Sequence, residues 1–460
     1  MRITNLGPKK RPVTVFPPAS FVASAVAAAL LCIQPLARSQ DTRDVREPTL
    51  PKSCAVVTAE AAGAKNGGRD DAARIQTAID QCAQGGAVHL APGGDDKANT
   101  SFTAGPLTIG SGVTLVVDAG VTLYASTNPM LFDKGEKTCG TLDTAGKGCR
   151  PFITVSGARG AGIMGDGAID GQGGQPIDGK PETWWQIARR AQKEKLRQNV
   201  PRLIQIDNAR DFTMYRITLR NSPNFHVAMN KVDGFTAWAV RIDTPHDARN
   251  SDGIDPGASR NVTIAHSYIR TGDDNIAIKA GDNGMSENIS ILHNHFYSGH
   301  GMSIGSETNG GVRNVLVDDL DMDGTTSGLR IKSNDRRGGV VGGIVYRNVC
   351  LRGNRWPLYI DTNYEPGPAG QLIPSYTDVR MENVHSLTPG QVVLQGYDEA
   401  RPLRLTLKNV VVDGNPPVKT SSIKLDGQLN APDARPLDCA KRFVPFPEGA
   451  GAWPVKVARQ

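Results

Sequence analysis

A degenerate repeat of about 27 residues runs through the middle of the chain and constrains its fold more than any other feature. The successive units start 23, 27, 27, 26, 29, 35 and 26 residues apart, each on an apolar residue: Phe212, Phe235, Val262, Ile289, Val315, Ile344, Val379 and Leu405. A second alternating run follows within the units, as in GIDP, IAIK, MSIG and LRIK. Short strands at this period, separated by Gly, Asn and Asp turns, predict one coil of a parallel β-helix per repeat.

The composition agrees with a long single architecture of short strands. Gly contributes 51 of the 460 residues and aromatic residues only 5%, which is typical of many strands joined by turns. Leucine-rich repeats require Leu at fixed places and propeller blades require about 40 residues per repeat, and neither pattern occurs. We therefore predict an all-β fold, a solenoid of roughly ten coils. An amphipathic helix over 71–82 is expected to cap the first coil, and a second helix over 181–198 to lie near one rim.

The first 39 residues have the features of a targeting segment. A basic start precedes the short apolar stretch Phe21–Ile33, and Ala37-Arg38-Ser39 offers a cleavage site before Gln40. We therefore predict a signal peptide over 1–39, a single parallel β-helix domain over 40–460, and a secreted protein without a membrane span. Without the leader the net charge falls from +6 to +1, so a general basic surface for nucleic acid is not supported.

Six cysteines remain after the leader, and an even number in an exported chain favours disulfides over thiol chemistry. Among the 15 possible connectivities, sequence proximity favours Cys54–Cys82 and Cys139–Cys149, which leaves Cys350–Cys439 as the third pair.

Three acidic residues recur at the same phase of neighbouring repeats. Asp252 lies in the run NSDG, and Asp273 and Asp274 lie one repeat later in GDDN. Stacked coils lie about 4.8 Å apart, so three carboxylates are expected to cluster. Such clusters cost electrostatic energy and split the pKa values, which is useful where one acid must be protonated and another ionised.

Cationic residues follow at the same phase. His300, in the run GHG, is expected beside the acids because its place in its repeat matches that of Asp274. Arg330 and Lys332 are two residues apart on a strand and share one face. Such a pair suits a carboxylate ligand, because Arg donates two parallel hydrogen bonds and Lys adds a point charge.

At these residues the chain resembles the polygalacturonases of glycoside hydrolase family 28. The resemblance covers roughly residues 50–430 and rests on ordered motifs: GDGAIDGQG (165–173), NSPNFH (221–226), NSDGIDP (250–256), GDDNIAIK (272–279), GHGMSIGSE (299–307) and RIK (330–332). It implies a right-handed parallel β-helix that hydrolyses α-1,4 links of polygalacturonate with inversion, without a metal or other cofactor. The sequence of these motifs and of the residues around them is most similar to that of the secreted endo-polygalacturonases of plant-associated bacteria. Ser251 replaces the Thr of many members, a conservative change.

The resemblance also implies roles for the catalytic residues. Asp273 corresponds to the general acid, and Asp252 and Asp274 to the pair that activates water. His300 corresponds to the histidine that helps to set the ionisation of the acid.

Four further residues are candidates for substrate binding. Arg330 and Lys332 correspond to the pair that binds a galacturonate carboxylate beside the scissile bond. Tyr364, in IDTNYEPG (360–367), corresponds to a substrate-contacting tyrosine, and Asn250 heads the NSDG motif. The expected partner is polygalacturonate or pectin, and a monomer is expected.

Three alternatives remain open at this point. An exo-acting or rhamnogalacturonan-type hydrolase could use the same fold, since the loops at the groove ends decide the mode of cleavage. A lyase on this fold would use a base, usually beside calcium, and the GDD and GHG motifs do not suit it. A non-catalytic β-helix, such as an adhesin or carbohydrate-binding spike, would not need the acid cluster.

Overall fold

The computed structural model describes residues 7, 40–61 and 70–449, and the segment from Gln40 onward belongs to one compact unit. The predicted signal peptide, apart from Gly7, lies outside the described residues. Among those that are described, no helix is long and apolar enough to cross a membrane.

One face of the solenoid is a parallel sheet of eleven strands, which we call the groove sheet. Each coil contributes one strand, in agreement with the roughly ten coils predicted. In chain order the strands are Leu107–Thr108, Ile153–Ser156, Ile204–Asp207, Val227–Asn230, Ile254–Asp255, Ile276–Ile278, Met302–Gly305, Ser327–Lys332, Trp356–Asp361, Val392–Gln395 and Val418–Ser421.

The remaining faces form a second sheet of nineteen strands, all paired in parallel, which we call the long sheet. Its first strands are Lys52–Thr58, Gly86–Ala91, Ser101–Ala104, Val113–Val117, Thr122–Ala125, Gly162–Met164, Ala168–Asp170, Arg210–Tyr215, Thr218–Arg220 and Asp233–Trp238. They are followed by Arg241–Asp243, Arg260–Ala265, Tyr268–Arg270, Ser286–Tyr297, Val312–Asp323, Val340–Arg352, Ser375–Ser386, Leu403–Val412 and Ile423–Leu429. A small antiparallel pair, Leu142–Asp143 with Arg197–Gln198, lies outside both sheets.

The register of the long sheet confirms the repeat. Each predicted unit start pairs with the next along the whole series, from Phe212 opposite Phe235 to Val379 opposite Leu405. All eight side chains are at most 2% exposed. The 27-residue period therefore stacks one apolar residue per coil into a continuous core.

The predicted capping helix is present as α1, Ala72–Gln81. Ile75 and Ile79 are buried, and the helix contacts the strands Lys52–Thr58 and Leu107–Thr108. These strands are the first in the long sheet and the groove sheet, so α1 covers the apolar end of the solenoid.

The second helix, α2, spans Trp184–Glu194 and is shorter than the 181–198 predicted. A capping box between Thr183 and Gln186 fixes its start, and Lys195 ends it in the left-handed conformation with φ 56°. The residues that follow enter the strand Arg197–Gln198 instead of continuing the helix.

The three disulfides join the predicted pairs, with Cα–Cα distances of 5.6, 5.2 and 5.7 Å. Cys54–Cys82 ties the C-terminal end of α1 to the first strand. Cys350–Cys439 ties the segment after the last strand back to the long sheet.

Candidate active site

The outward residues of the groove sheet form two polar columns. One column contains Gln205, Ala228, Asp255, Ala277, Ser303, Arg330 and Tyr359. The other, two residues further along each strand, contains Asp207, Asn230, Gly257, Lys279, Gly305, Lys332 and Asp361. The intervening residues, such as Ile254, Ile276 and Ile331, are fully buried. The period-two alternation therefore builds an apolar core on one side and a polar groove floor on the other.

Asp273 and His300 lie beside each other at the edge of this floor. His300 Nδ1 is 3.0 Å from Asp273 Oδ1, and the His300 amide donates to the Asp273 carbonyl at 2.9 Å. The amides of Asp274 and Asn250 donate to Oδ1 and Oδ2 of Asp273. The side chain of Asp273 is 18% exposed and that of His300 is 38% exposed, so both can reach a bound substrate.

The glycines on both sides of His300 explain how the histidine reaches this position. Gly299 and Gly301 both have φ 79°, and a Cβ at Gly301 would lie 2.1 Å from the carbonyl oxygen of Ser327. Only glycine tolerates this conformation so close to the next coil. Asn275, which is buried, accepts a hydrogen bond from the Gly301 amide at 2.9 Å and so joins the GDDN and GHG turns.

Asp274 is buried and receives three side-chain donors. Lys332 Nζ lies 2.7 Å from Oδ2, while Arg330 Nη1 and Ser303 Oγ lie 3.2 and 2.8 Å from Oδ1. Burial opposes ionisation of this carboxyl group, but the charges of Lys332 and Arg330 outweigh it and lower the pKa of Asp274. Asp274 is thus an ionised carboxylate in a site with two cations.

Asp252 lies in a second charged cluster with Asp255 and Lys279. Lys279 Nζ is 3.4 Å from Asp252 Oδ2 and 2.8 Å from Asp255 Oδ2. Burial, followed by the charge of Asp255, raises the pKa of Asp252 well above its usual value despite Lys279. Burial likewise raises the pKa of Asp255 to about 6. One lysine cannot balance two buried carboxylates, so the cluster favours the proton on one of them.

The pKa of Asp273, whose charge also acts on Asp252, is shifted in the opposite direction. Burial again opposes the ionisation of Asp273, but the hydrogen bond and charge of His300, together with Lys332, lower the pKa of Asp273. The carboxylates therefore have separated proton affinities, as predicted for an acid–base site, with the proton favoured at Asp252 in the empty groove.

The remaining predicted residues also lie in the groove. The Asn250 side-chain oxygen accepts from Gln198 Nε2 at 3.0 Å, while its amide contacts Asp273. The ring of Tyr364 lies 5.2 Å from both the Arg330 guanidinium carbon and Lys332 Nζ. Seven of the eight predicted site residues line one of two adjoining cavities. The exception is Arg330, which lies against the ring of Tyr364 and donates a hydrogen bond to Asp274.

One group of side chains has the composition of a metal site. Single ligand atoms of Asp273, Asp274 and His300 lie within 4.8 Å of one another. However, both oxygens of Asp274 already accept hydrogen bonds from Lys332, Arg330 and Ser303. The positive charge that these carboxylates require comes from protein side chains.

Sequence reasoning missed several residues that shape the site. Asp255, Lys279 and Ser303 lie in the quoted runs GIDP, IAIK and MSIG but received no role, although the same phase argument that located Arg330 and Lys332 would have found them. His226, the last residue of the NSPNFH motif, is fully buried, and its ring nitrogens lie 2.9 Å from the Asp252 carbonyl oxygen and 2.7 Å from Thr244 Oγ1. Burial lowers the pKa of His226 to about 4, so a neutral imidazole holds the NSDG turn.

Ser251 performs the same structural task that a threonine would. Its hydroxyl donates to the Ala248 carbonyl at 2.6 Å and accepts from the Gly272 amide at 3.0 Å. The single departure from the common motif therefore retains the oxygen that joins the two acidic turns.

Comparison with known proteins identifies the family of the chain. The sequence pattern of "Glycosyl hydrolases family 28" matches residues 82–427. An endo-polygalacturonase of Pectobacterium carotovorum subsp. carotovorum is 50% identical over 374 residues, which are 81% of this chain and 90% of that protein. A polygalacturonase of Ralstonia nicotianae is 42% identical, with 81% of each chain covered. The solved polygalacturonase from Erwinia carotovora ssp. carotovora superposes with a TM-score of 0.80 at 46% identity, covering 84% of this chain and all of that one (100%).

A polar groove along a parallel β-helix, with paired carboxylates at its floor, is the site of a glycoside hydrolase. The match over most of the chain makes the assignment specific: the protein belongs to glycosyl hydrolases family 28. The resemblance inferred from the motifs is thereby confirmed, and the alternative of a non-catalytic β-helix is wrong.

Proposed function

We propose that the protein is a secreted endo-polygalacturonase, which hydrolyses α-1,4 bonds between galacturonate units of de-esterified pectin with inversion of configuration. The observation that carries the proposal is the surplus of positive charge at the acid cluster. Arg330 and Lys332 share the single carboxylate of Asp274, so these three side chains carry a net charge of +1, which is uncompensated when Asp273 is protonated as the acid. A bound galacturonate carboxylate would neutralise that charge, whereas a neutral sugar would not.

The substrate carboxylate has identifiable donors in this proposal. Arg330 does not line the cavity, and its buried Nε has no hydrogen-bond partner among the described residues, so Arg330 contributes charge and not a direct contact. Lys332 and Tyr364 line the cavity above it. A carboxylate placed between Lys332 and Tyr364 would satisfy the surplus charge while Asp274 stays in place, and Asn250 would contact the neighbouring sugar.

Hydrolysis needs an acid that protonates the leaving oxygen and a base that holds a water molecule. We assign the acid to Asp273 and the base to Asp252 with Asp274. Asp273 is the most exposed of the three carboxylates and has His300 as a proton-sharing neighbour. Asp252 and Asp274 lie deeper and can hold a water molecule between them and the sugar.

The proton affinities of the empty groove run against this assignment, and substrate binding must change them. The low pKa of Asp273 depends on the nearby charges of His300 and Lys332. An anionic sugar beside Lys332 offsets that charge and excludes water, and both effects raise the pKa of Asp273. Asp273 is therefore protonated in the complex with substrate rather than in the free enzyme.

The length of the groove supports the endo mode. Two cavities of about 860 and 620 Å³ adjoin along the solenoid and share Phe225, Asn250, Lys279 and Glu307. The acids lie in the second cavity and open toward the first, so sugar units can bind on both sides of the scissile bond. The endo-polygalacturonase of Pectobacterium with 50% identity supports the same mode.

Polygalacturonate digestion tests the proposal. The viscosity of the polymer should drop much faster than reducing ends appear, and the first products should be long oligomers. The anomeric form of the new reducing end, followed by NMR at early times, should be inverted. Release of only mono- or digalacturonate from the outset would mean exo cleavage, and an unsaturated ultraviolet-absorbing product would mean a lyase. The D273N variant serves as the inactive control.

A further inference from the structure

The larger of the two cavities extends the groove away from the acid cluster toward the N-terminal coils. Its floor includes Thr154, Gln205, Ala228 and Asp255, which are in register on successive strands of the groove sheet. Gln205 is five strands from Arg330 in the same column. At about 4.8 Å per strand this is roughly 24 Å, long enough for several sugar units.

Arg202, two residues before the strand Ile204–Asp207, lines this cavity and forms no ion pair with a carboxylate among the described residues. Its Nη1 donates to Gln205 Oε1 at 2.5 Å, and its guanidinium carbon lies 5.2 Å from the centre of the Phe225 ring. Phe225 lines both cavities. The guanidinium is thus held over the groove by an amide and an aromatic ring, and its charge acts on Asp255 without a direct ion pair.

The other cations of this cavity are already engaged. Lys279 pairs with Asp252 and Asp255, and Lys147 pairs with Glu136 at 2.7 Å. Lys134 Nζ donates to the carbonyl of Lys147 at 2.7 Å. Of these side chains, Arg202 is the one fixed to the floor of the groove with donors left for a ligand.

We propose that Arg202 binds the carboxylate of a galacturonate unit two to three units away from the scissile bond, on the side of the acids opposite to Arg330 and Lys332. The inference rests on the proposed function, because it takes polygalacturonate as the polymer in the groove. A planar guanidinium oriented by Gln205 and Phe225 matches the two oxygens of a carboxylate. Arg202 is then a determinant of chain-length and charge specificity, with no part in bond cleavage.

This role makes the effect of Arg202 depend on substrate length. An oligomer too short to reach from the acids to Gln205 gains nothing from the guanidinium, whereas a long oligomer gains one charge-assisted contact. We compare wild type, R202Q and R202K on tri- and octagalacturonate. R404Q is the matched control, since Arg404 is exposed in the strand Leu403–Val412 and has no ion pair among the described residues.

We expect R202Q to raise KM for octagalacturonate about tenfold, the usual contribution of one charge-assisted hydrogen bond. Its kcat and its pH profile on trigalacturonate should match those of R404Q. R202K should be intermediate, because lysine retains the charge but loses the two-pronged geometry. Equal thermal unfolding of R202Q and R404Q establishes that both variants are folded.

Two results would overturn the inference. One is a KM of R202Q for octagalacturonate within twofold of that of R404Q. The other is an equal loss on both oligomers, which would place Arg202 at the catalytic centre. A wild-type protein that hydrolyses neither oligomer nor polygalacturonate would instead refute the proposed function, so the two failures are distinguishable.

Discussion

Lys332 Nζ lies 2.7 Å from Asp274 Oδ2, so a cation expected to bind substrate is also the partner of a catalytic carboxylate. The two side chains are 7% and 2% exposed. Arg330 completes the group from the other oxygen of Asp274. In the proposed function, the affinity for an anionic sugar would come from the surplus charge of this three-membered cluster, so that substrate binding would be electrostatically coupled to the ionisation of the proposed base.

This coupling predicts two effects of K332M. The KM for polygalacturonate should rise, because the surplus positive charge is lost. The acidic limb of the kcat/KM profile should also move to higher pH, because Lys332 is the largest cause that lowers the pKa of Asp274 and burial alone raises it. Initial rates across the acidic range check both effects.

The control for this experiment is K408M, an exposed lysine on the strand Leu403–Val412. Salt should weaken substrate binding more in wild type than in K332M, since screening reduces the charge contribution. An unshifted acidic limb in K332M would show that Asp274 does not act as a base in the rate-limiting step.

The roles of Asp273 and Asp252 can be separated by the leaving group of the substrate. D273N should lower kcat on polygalacturonate by about 10² to 10⁴, the usual contribution of a general acid. The same variant should approach wild-type turnover on a galacturonoside with a dinitrophenol leaving group, which departs without protonation. D252N should be slow on both substrates, since its defect is in the activation of water.

The reverse pattern would mean that the acid and base are exchanged. It would agree with the raised pKa of Asp252 and the lowered pKa of Asp273 in the empty groove. Unchanged thermal unfolding of D273N shows that lost turnover reflects chemistry and not misfolding.

The sequence predicts the positions of residues on strands better than the contacts of residues in turns. The eight unit starts, from Phe212 to Leu405, were placed in register by their period alone, because parallel stacking converts sequence phase into spatial position. The same reasoning placed Arg330 and Lys332 on one face. Side chains that belong to turns, such as Asp274, reach partners two coils away, and phase does not determine that geometry.

The pairing of Asp274 with both cations was therefore not predictable from spacing. Nor was the position of Arg202, which precedes its strand and is oriented by Gln205 and Phe225. The end of α2 at Glu194 depends on the backbone conformation of Lys195. In each case a rotamer or a turn decides the outcome, and the repeat carries no information about it.

The Cys350–Cys439 disulfide is predicted to stabilise the fold without affecting catalysis. It closes a loop with a sequence separation of 89 and holds a C-terminal segment in which Arg442 Nε pairs with Asp321 at 2.7 Å. The double variant C350A/C439A should lose about 4 kcal/mol of unfolding free energy. Urea unfolding measures the loss, and kcat at low temperature should equal that of wild type, because the described part of the segment contacts the long sheet. A matching loss of kcat would show that the segment supports the active site.

Hydrolysis of polygalacturonate is expected to be insensitive to EDTA. Lys332 and Arg330 already supply positive charge to Asp274, and His300 does so for Asp273 when it is protonated. Rates measured after dialysis against the chelator should equal those of the untreated enzyme, with D273N as the blank. Activity that is lost on dialysis and restored by a divalent cation would assign the cluster of Asp273, Asp274 and His300 to a metal.

Asp255 is predicted to make stability and activity depend on pH in a defined direction. Burial raises its pKa from 3.8 to about 6, so the folded state holds a proton that the unfolded chain releases. The stability contributed by this proton is fully present below about pH 4 and is lost as the pH rises through 6. The shift corresponds to roughly 3 kcal/mol. D255N removes the titration, so its free energy of unfolding relative to wild type should increase by up to that amount between pH 4 and 7. Parallel pH curves for the two proteins would contradict the burial argument.

D255N should also shift the acidic limb of kcat/KM to lower pH. The charge of Asp255 helps to raise the pKa of Asp252, and in the variant the charge of Lys279 would act on Asp252 alone.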